Sequence, residues 1–134
     1  MREEQKPIKI HEHSTSEKTI LLIEDSPIFS RIFIHAIKKN TPYQVVHLTD
    51  GSQIIQVITE IRPNLLVLDY DLPGEMNGIE IYDLVHGTQG WEHIPAIMIS
   101  ANLPLKEIER RHIPGLYKPC GTDEFLSALS KLLP

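Results

Sequence analysis

The chain of 134 residues contains one cysteine, Cys120, and it has neither a long apolar run nor an excess of basic residues. A single cysteine excludes an internal disulfide and is typical of a reducing compartment. A helix that spans a bilayer needs roughly 18 or more mostly apolar residues in succession. The polar N-terminal segment also lacks the apolar core of a signal peptide. These absences predict a cytoplasmic protein that does not contact a membrane.

The formal net charge is −5. A surface that binds nucleic acid needs a basic patch, so no direct contact with nucleic acid is expected. The length is typical of a single domain. Residues 1–18 are polar and lack periodicity, which predicts a flexible N-terminal tail. Residues 19–134 are then the folded domain.

Five apolar segments alternate with segments in which apolar residues recur at helical spacing. The apolar segments cover residues 19–23, 43–48, 65–68, 95–99 and 113–117. Continuous apolar runs of this length are typical of parallel strands that are covered on both faces. The alternation predicts an α/β fold in which a doubly wound, five-stranded parallel sheet has helices on both sides. Caps for three of the helices are predicted at Ser26, Asp50 and Thr122.

Polar residues follow or end four of the predicted strands. They are Glu24, Asp25, Asp69, Ser100 and Lys118. Because the carboxyl ends of parallel strands meet at one edge of the sheet, we expect these side chains to lie close together. Each of them alone is more often an ordinary loop or surface residue, and the prediction depends on their occurrence together.

Three neighbouring carboxylates repel one another, and a divalent cation relieves that repulsion. Ligands that are all oxygen atoms favour Mg²⁺ or Mn²⁺. Lys118 and Ser100 can then bind the oxygens of a phosphoryl group, whose transfer depends mainly on positioning and charge neutralisation. A carboxylate can serve as the nucleophile. Asp69 is the best candidate, because it ends an apolar strand in the middle of the predicted sheet.

The segments LLIEDSP, LLVLDYDLPGEMNGIEIY, PAIMISA and YKPC resemble the signature segments of two-component response-regulator receiver domains, including the chemotaxis response regulators. The resemblance covers residues 19–133 and implies a flavodoxin-like sheet with strand order 2-1-3-4-5. It implies phosphorelay signalling, in which Asp69 accepts a phosphoryl group from a histidine kinase or a histidine phosphotransfer protein. The domain would then switch conformation. Its only catalysis would be its own phosphorylation from a phosphodonor and a slow autodephosphorylation.

The resemblance also implies a role for each site residue. Asp25 would bind Mg²⁺ directly, Glu24 would hold it, often through water, and the backbone carbonyl of Asp71 would be a third protein ligand. Asp69 would complete the metal site. The Ser100 hydroxyl would follow the phosphoryl group. Lys118 would pair with that group, and its bond to the next proline is usually cis in the family.

The sequence departs from the family pattern in three places. Gly115 stands where the family has an aromatic switch residue, and Tyr117 is expected on the opposite face of the strand. The fourth helix is expected to be short or irregular. The loop after Asp69 is one residue longer, with Glu75 as the extra residue, and the unusual Asp71 side chain could alter the rate of phosphoryl loss. Weak homodimerisation through the fourth helix, fifth strand and fifth helix is implied but belongs to the departing region.

Two alternatives stay open at this point. A phosphatase of the haloacid dehalogenase type would share an aspartate, a hydroxyl and a lysine, but Pro73 and the upstream acids Glu24 and Asp25 do not match its pattern. A pseudo-receiver would use the same fold as a phosphorylation-independent binding module. The cognate kinase, the downstream output and whether the chain is part of a larger regulator are not determined by the sequence.

Overall fold

A computed structural model describes the backbone of residues 9–11 and all of residues 18–133. From residue 19 onward, strands and helices alternate. In order they are β1 (Lys9–His11), β2 (Thr19–Ile23), α1 (Pro27–Asn40), β3 (Gln44–Leu48), α2 (Ile54–Ile61), β4 (Leu65–Asp69), α3 (Gly78–His86), β5 (Ala96–Ser100), α4 (Leu105–Arg110), β6 (Gly115–Tyr117) and α5 (Thr122–Leu132). Within the described residues, no helix is both long enough and apolar enough to cross a bilayer.

Strands β3, β2, β4, β5 and β6 lie side by side in that order, and all four pairings between them are parallel. Counted along the chain, this is the order 2-1-3-4-5, so the predicted fold is confirmed. The registers bring the carboxyl ends of the strands to one edge. Ile23 pairs with both Leu48 and Leu68, and Asp69 pairs with Ile99.

The structure differs from the predicted N-terminal tail at Lys9–His11, which forms β1 and pairs antiparallel with the outer edge of β3. An edge strand presents unpaired backbone groups that a short extended segment can bond whatever its side chains are. Three residues are too few to show a period-two pattern, which explains why the sequence did not reveal this strand. The rest of the predicted tail, residues 1–8 and 12–17, lies outside the described residues.

Successive strand residues face opposite sides of the sheet, so each strand contributes to two apolar cores. Leu21 and Ile23 of β2 pack with α2, α3 and α4 on one side. Ile20 and Leu22 pack with α1 and α5 on the other. Every residue of β2, β4 and β5 is buried. Covering both faces explains why these strands are apolar throughout, and it makes a polar residue at a strand end conspicuous.

Helix α1 begins as predicted, with the Ser26 side chain accepting a hydrogen bond from the Phe29 backbone N–H at 3.3 Å. The predicted cap at Asp50 is wrong. Its carboxylate accepts hydrogen bonds from the backbone N–H and the hydroxyl of Ser52, so it stabilises the preceding turn, and α2 follows Gln53. The predicted cap at Thr122 is also wrong by one residue, because Thr122 is the first residue of α5.

Candidate functional site

The polar residues predicted from the strand ends lie together at the carboxyl edge of the sheet. Glu24 follows β2, Asp69 ends β4 and Ser100 ends β5, and all three side chains are buried. Lys118 follows β6, and its backbone N–H donates to the Ser100 carbonyl at 3.0 Å. The alternation of strand and helix therefore assembles the site from four segments that are distant in the sequence.

Lys118 is the central cation of this site. Its Nζ lies 2.6 Å from Glu24 Oε1 and 3.2 Å from Asp69 Oδ2. Only 8% of the Lys118 side chain is exposed, so the ammonium group depends on these carboxylates in place of water. The peptide bond from Lys118 to Pro119 is cis.

The two buried acids and the lysine change one another's protonation. Burial and, after it, the charge of Glu24 together raise the pKa of Asp69 to about 7, against the opposing effect of Lys118. For Lys118, burial lowers the pKa, but the hydrogen bonds and charges of Glu24 and Asp69 outweigh that effect and raise it overall. One lysine therefore compensates the two carboxylates only in part.

Asp25 completes a group of three carboxylates. One carboxylate oxygen each from Glu24, Asp25 and Asp69 lies within 4.8 Å of the others, with Asp25 exposed and the other two buried. The Ser26 backbone N–H donates to Glu24 Oε2 at 3.1 Å and so orients that carboxylate. An all-oxygen donor set with excess negative charge fits a hard divalent cation such as Mg²⁺.

Asp71 adjoins the site through both its backbone and its side chain. Its backbone N–H donates to Asp69 Oδ1 at 3.2 Å. Its carboxylate accepts a hydrogen bond from the Ser100 hydroxyl at 3.3 Å. The Ser100 oxygen in turn accepts from the Asn102 backbone N–H at 3.1 Å. The structure thus brings all six predicted site residues together.

Two residues that the sequence did not mark as site residues also contact it. The Lys118 ammonium lies 4.6 Å from the centroid of the Phe29 ring, in the first turn of α1. Gly78, the first residue of α3, donates its N–H to the Tyr70 carbonyl at 3.0 Å. A Cβ on Gly78 would collide with the Asp69 carbonyl oxygen, so only glycine allows α3 to lie this close to the loop after Asp69.

Local sequence signals place both residues at the starts of helices, although no signal in the sequence links Phe29 to Lys118. Phe29 comes three positions after the Ser26 cap, which places it in the helical turn beside the acid pair. Gly78 follows Asn77, whose side chain accepts from the Glu80 backbone N–H while the Glu80 carboxylate accepts from the Asn77 N–H. This reciprocal capping box marks the start of a helix in the sequence.

At the predicted switch position, the space beside Gly115 is filled. A Cβ built on Gly115 would lie 2.8 Å from Ile108 Cδ1 and 3.0 Å from Leu103 Cδ1. Tyr117 is two residues further along the same strand and therefore shares a face with Gly115, so the expectation that it points to the opposite face is wrong. Tyr117 is 53% exposed. Aliphatic side chains thus occupy the space next to Gly115.

Helix α4 has only six residues, which confirms the expectation of a short fourth helix. Its last turn is held against α3 by Arg111, which donates two hydrogen bonds to the Asp83 carboxylate at 2.7 and 2.8 Å. A third bond joins Arg111 to the Glu107 carboxylate at 2.7 Å. The hydrogen bonds from Arg111 hold the pKa of Asp83 below its ordinary value.

The sequence profile of the response regulator receiver domain matches residues 20–130. Sporulation initiation phosphotransferase F of Bacillus subtilis is 31% identical over 118 residues, which cover 85% of this chain and 93% of that protein. The transcriptional regulatory protein KdpE of Mycobacterium tuberculosis is 32% identical over 117 residues, which cover 82% of this chain and 48% of the relative. The chain thus spans nearly all of one relative and about half of the other.

Solved structures agree with this assignment. The receiver domain of a signal transduction histidine kinase from Syntrophus aciditrophicus superposes with a TM-score of 0.75 at 25% identity, covering 87% of this chain and 89% of that one. The chemotaxis protein CheY4 of Vibrio cholerae has a TM-score of 0.77 at 22% identity, covering 87% and 98%. The second likeness concerns the fold.

A parallel sheet of this order, with three acids, a hydroxyl and a lysine at its carboxyl edge, defines a receiver domain. The chain belongs to the response regulator receiver domain family, and the family predicted from the sequence is confirmed. Receiver domains are modules of two-component signalling that interact with histidine kinases and phosphotransfer proteins, bind Mg²⁺ and are in general not enzymes. The phosphatase alternative is thereby set aside.

Proposed function

We propose that this receiver domain accepts a phosphoryl group on Asp69 from the phosphohistidine of a histidine kinase or a histidine phosphotransfer protein. The observation that carries the proposal is the environment of Asp69. Its carboxylate ends the central strand β4 within 3.2 Å of the Lys118 ammonium and within 4.8 Å of oxygens of Glu24 and Asp25. The similarity to a protein named as a phosphotransferase supports it.

In the transfer step, an Asp69 oxygen forms a bond to phosphorus while the bond from phosphorus to the histidine nitrogen breaks. The departing imidazole nitrogen keeps the electron pair. Lys118 already lies next to an Asp69 oxygen, so it can neutralise the charge of the incoming phosphoryl oxygens. The later attack of water on phosphorus would return Asp69 to its free carboxylate.

Glu24, Asp25 and Asp69, with the backbone carbonyl of Asp71, would hold Mg²⁺, or Mn²⁺ in its place. When bound, the cation would supply positive charge to the carboxylates and to a phosphoryl oxygen. The residues present fit this role because their donors are all oxygen and because three carboxylates share a single buried ammonium group as counter-charge.

The Ser100 hydroxyl would donate a hydrogen bond to the phosphoryl group. It donates to Asp71 at present, so phosphorylation would exchange one acceptor for another and favour a second conformation of the domain. Asp71 would in this way influence both the exchange and the rate of phosphoryl loss. Weak homodimerisation and a cytoplasmic location stay predictions from the sequence.

The test is the intact mass of the protein after incubation with Mg²⁺ and acetyl phosphate. We expect a mass gain of one phosphoryl group that disappears with EDTA and in Asp69→Asn. Asp123→Asn, at an exposed acid in α5, is the matched control and should keep the gain. If the adduct is short-lived, beryllofluoride binding measured by NMR replaces it. No mass gain together with no Mg²⁺-dependent beryllofluoride shifts would support the pseudo-receiver alternative.

A further inference from the structure

The Lys118 ammonium is buried, and three groups surround it. Two are the carboxylates of Glu24 and Asp69. The third is the face of the Phe29 ring, whose centroid lies 4.6 Å from Nζ. An aromatic face is electron-rich and attracts a cation, most strongly where water is excluded. Phe29 therefore adds an aromatic contact to the two carboxylate contacts of the ammonium group.

Phe29 is fixed to the same acid that binds Lys118. Its backbone N–H donates to the Ser26 hydroxyl at 3.3 Å, and the Ser26 backbone N–H donates to Glu24 Oε2 at 3.1 Å. The other oxygen of Glu24 binds Lys118. The ring, the cap, the carboxylate and the ammonium thus form a closed circuit of contacts, so the position of the ring is coupled to that of Glu24.

The ring is also supported from the core. Phe29 stacks on Phe33 with centroids 6.0 Å apart and an angle of 27°, and Phe33 packs against Phe125 of α5 at 4.7 Å. Phe33 and Phe125 are buried. Because Phe33 and Phe125 are held in the core, their packing limits the movement of the Phe29 ring, which contacts Lys118.

We propose that Phe29 is a positioning residue for Lys118, holding its ammonium group beside Asp69 where phosphoryl oxygens would lie. A lysine side chain has four flexible bonds, and confining it before the phosphoryl group arrives reduces the entropy cost of binding that group. The inference rests on the proposed function of Asp69 and adds a residue to it. Phe29 acts through Lys118 and is not itself a catalytic residue.

The test compares Mg²⁺-dependent beryllofluoride binding, followed by NMR, in four proteins. Phe29→Leu keeps an apolar side chain but removes the aromatic face, and we expect its dissociation constant to rise about 3- to 10-fold. Phe29→Tyr restores the face and should stay within about twofold of the wild type. Phe33→Leu removes the buried ring behind Phe29 but keeps the Phe29 face itself, so it should lower the melting temperature and raise the dissociation constant by less than Phe29→Leu does.

A second readout needs no phosphoryl mimic. In the metal-free wild type and in Phe29→Tyr, the ring should shift the Lys118 Hε resonances upfield, and Phe29→Leu should abolish that shift. An unchanged dissociation constant in Phe29→Leu, or an equal rise in Phe33→Leu, would overturn the inference. A wild type that shows the upfield shift but no beryllofluoride binding would instead refute the proposed function, and with it the purpose assigned to Phe29.

Discussion

The two ends of β6 are packed by opposite means. At its start, Gly115 lies against the aliphatic side chains of Leu103 and Ile108, which leave no room for a larger residue without movement. Directly after its end, Lys118 is held by two carboxylates and an aromatic ring. Gly115 and Lys118 are three positions apart in the sequence. Aliphatic side chains fill the space beside Gly115, whereas carboxylates and an aromatic ring hold Lys118.

The two kinds of packing respond differently to the solution. Contacts between aliphatic side chains are insensitive to protons and to metal ions. The contacts of Lys118 depend on the charge of Asp69, whose pKa is raised to about 7 by burial and by Glu24. Protons, Mg²⁺ or a phosphoryl group can therefore change the contacts at the Lys118 end of β6. The contacts at the Gly115 end should stay the same.

The largest effect is expected from removing the cation. Lys118→Met keeps the length of the side chain but leaves Glu24 and Asp69 buried without a positive partner. We expect a loss of about 3 kcal/mol in the free energy of unfolding at pH 8 in EDTA. The loss should be smaller at pH 5, where Asp69 is protonated in the folded protein.

Urea unfolding at the two pH values measures this difference. Lys106→Met, at an exposed lysine in α4, is the matched control and should change stability little at either pH. Equal losses at pH 5 and pH 8 in Lys118→Met would mean that the side chain matters for its packing and not for its charge.

A larger residue at Gly115 should lower the free energy of unfolding. Gly115→Phe, which introduces an aromatic residue at the position where the family has one, should cost about 2 to 3 kcal/mol because Ile108 and Leu103 must move. Removing Ile108 should relieve part of that cost. A double-mutant cycle with Ile108→Ala should therefore show a favourable coupling of about 1 kcal/mol or more. Additive effects would show that the space beside Gly115 is not set by Ile108.

Sequence and structure agree best where a residue interrupts a pattern. Asp69 and Ser100 were predictable because they close apolar strands, and parallel strands bring such ends together. Phe29 was not, because an apolar residue in the first turn of α1 fits the core pattern, while its contact with Lys118 joins segments almost ninety positions apart. Strand β1 pairs through its backbone, so its side chains carry no signal of it.

Asp69, which contacts Lys118, should also make the stability of the protein depend on pH. The unfolded chain loses the Asp69 proton near its ordinary pKa of 3.8, whereas the folded protein keeps it to about 7. Since the folded state binds more protons in this window, stability should fall as pH rises from about 4 to 7 and then level off. Asp69→Asn should remove that slope and, in EDTA, stabilise the protein at pH 8.

Chemical unfolding at several pH values between 4.5 and 8 gives this profile. Asp123→Asn, at an exposed acid, should leave the slope as it is in the wild type. Saturating Mg²⁺ should raise the stability of the wild type at pH 8 but not that of Asp69→Asn to the same extent, because a ligand stabilises the state that binds it. An unchanged slope in Asp69→Asn would assign the pH dependence to another group.

The smallest effect is expected from the ion pair between Arg111 and Asp83, which lies at the surface, whereas the ion pairs of Lys118 are buried. Arg111 binds Asp83 with two hydrogen bonds, as close as the contact of Lys118 with Glu24, but 51% of the Asp83 side chain is exposed. Water already solvates that carboxylate, so a double-mutant cycle with Arg111→Met and Asp83→Asn should give a coupling of only about 1 kcal/mol at low salt. The coupling should shrink in concentrated NaCl, while the effect of Lys118→Met should persist there. These outcomes would mean that burial, and not bond length, sets the two magnitudes. A coupling at Arg111 as large as the loss at Lys118 would show the opposite.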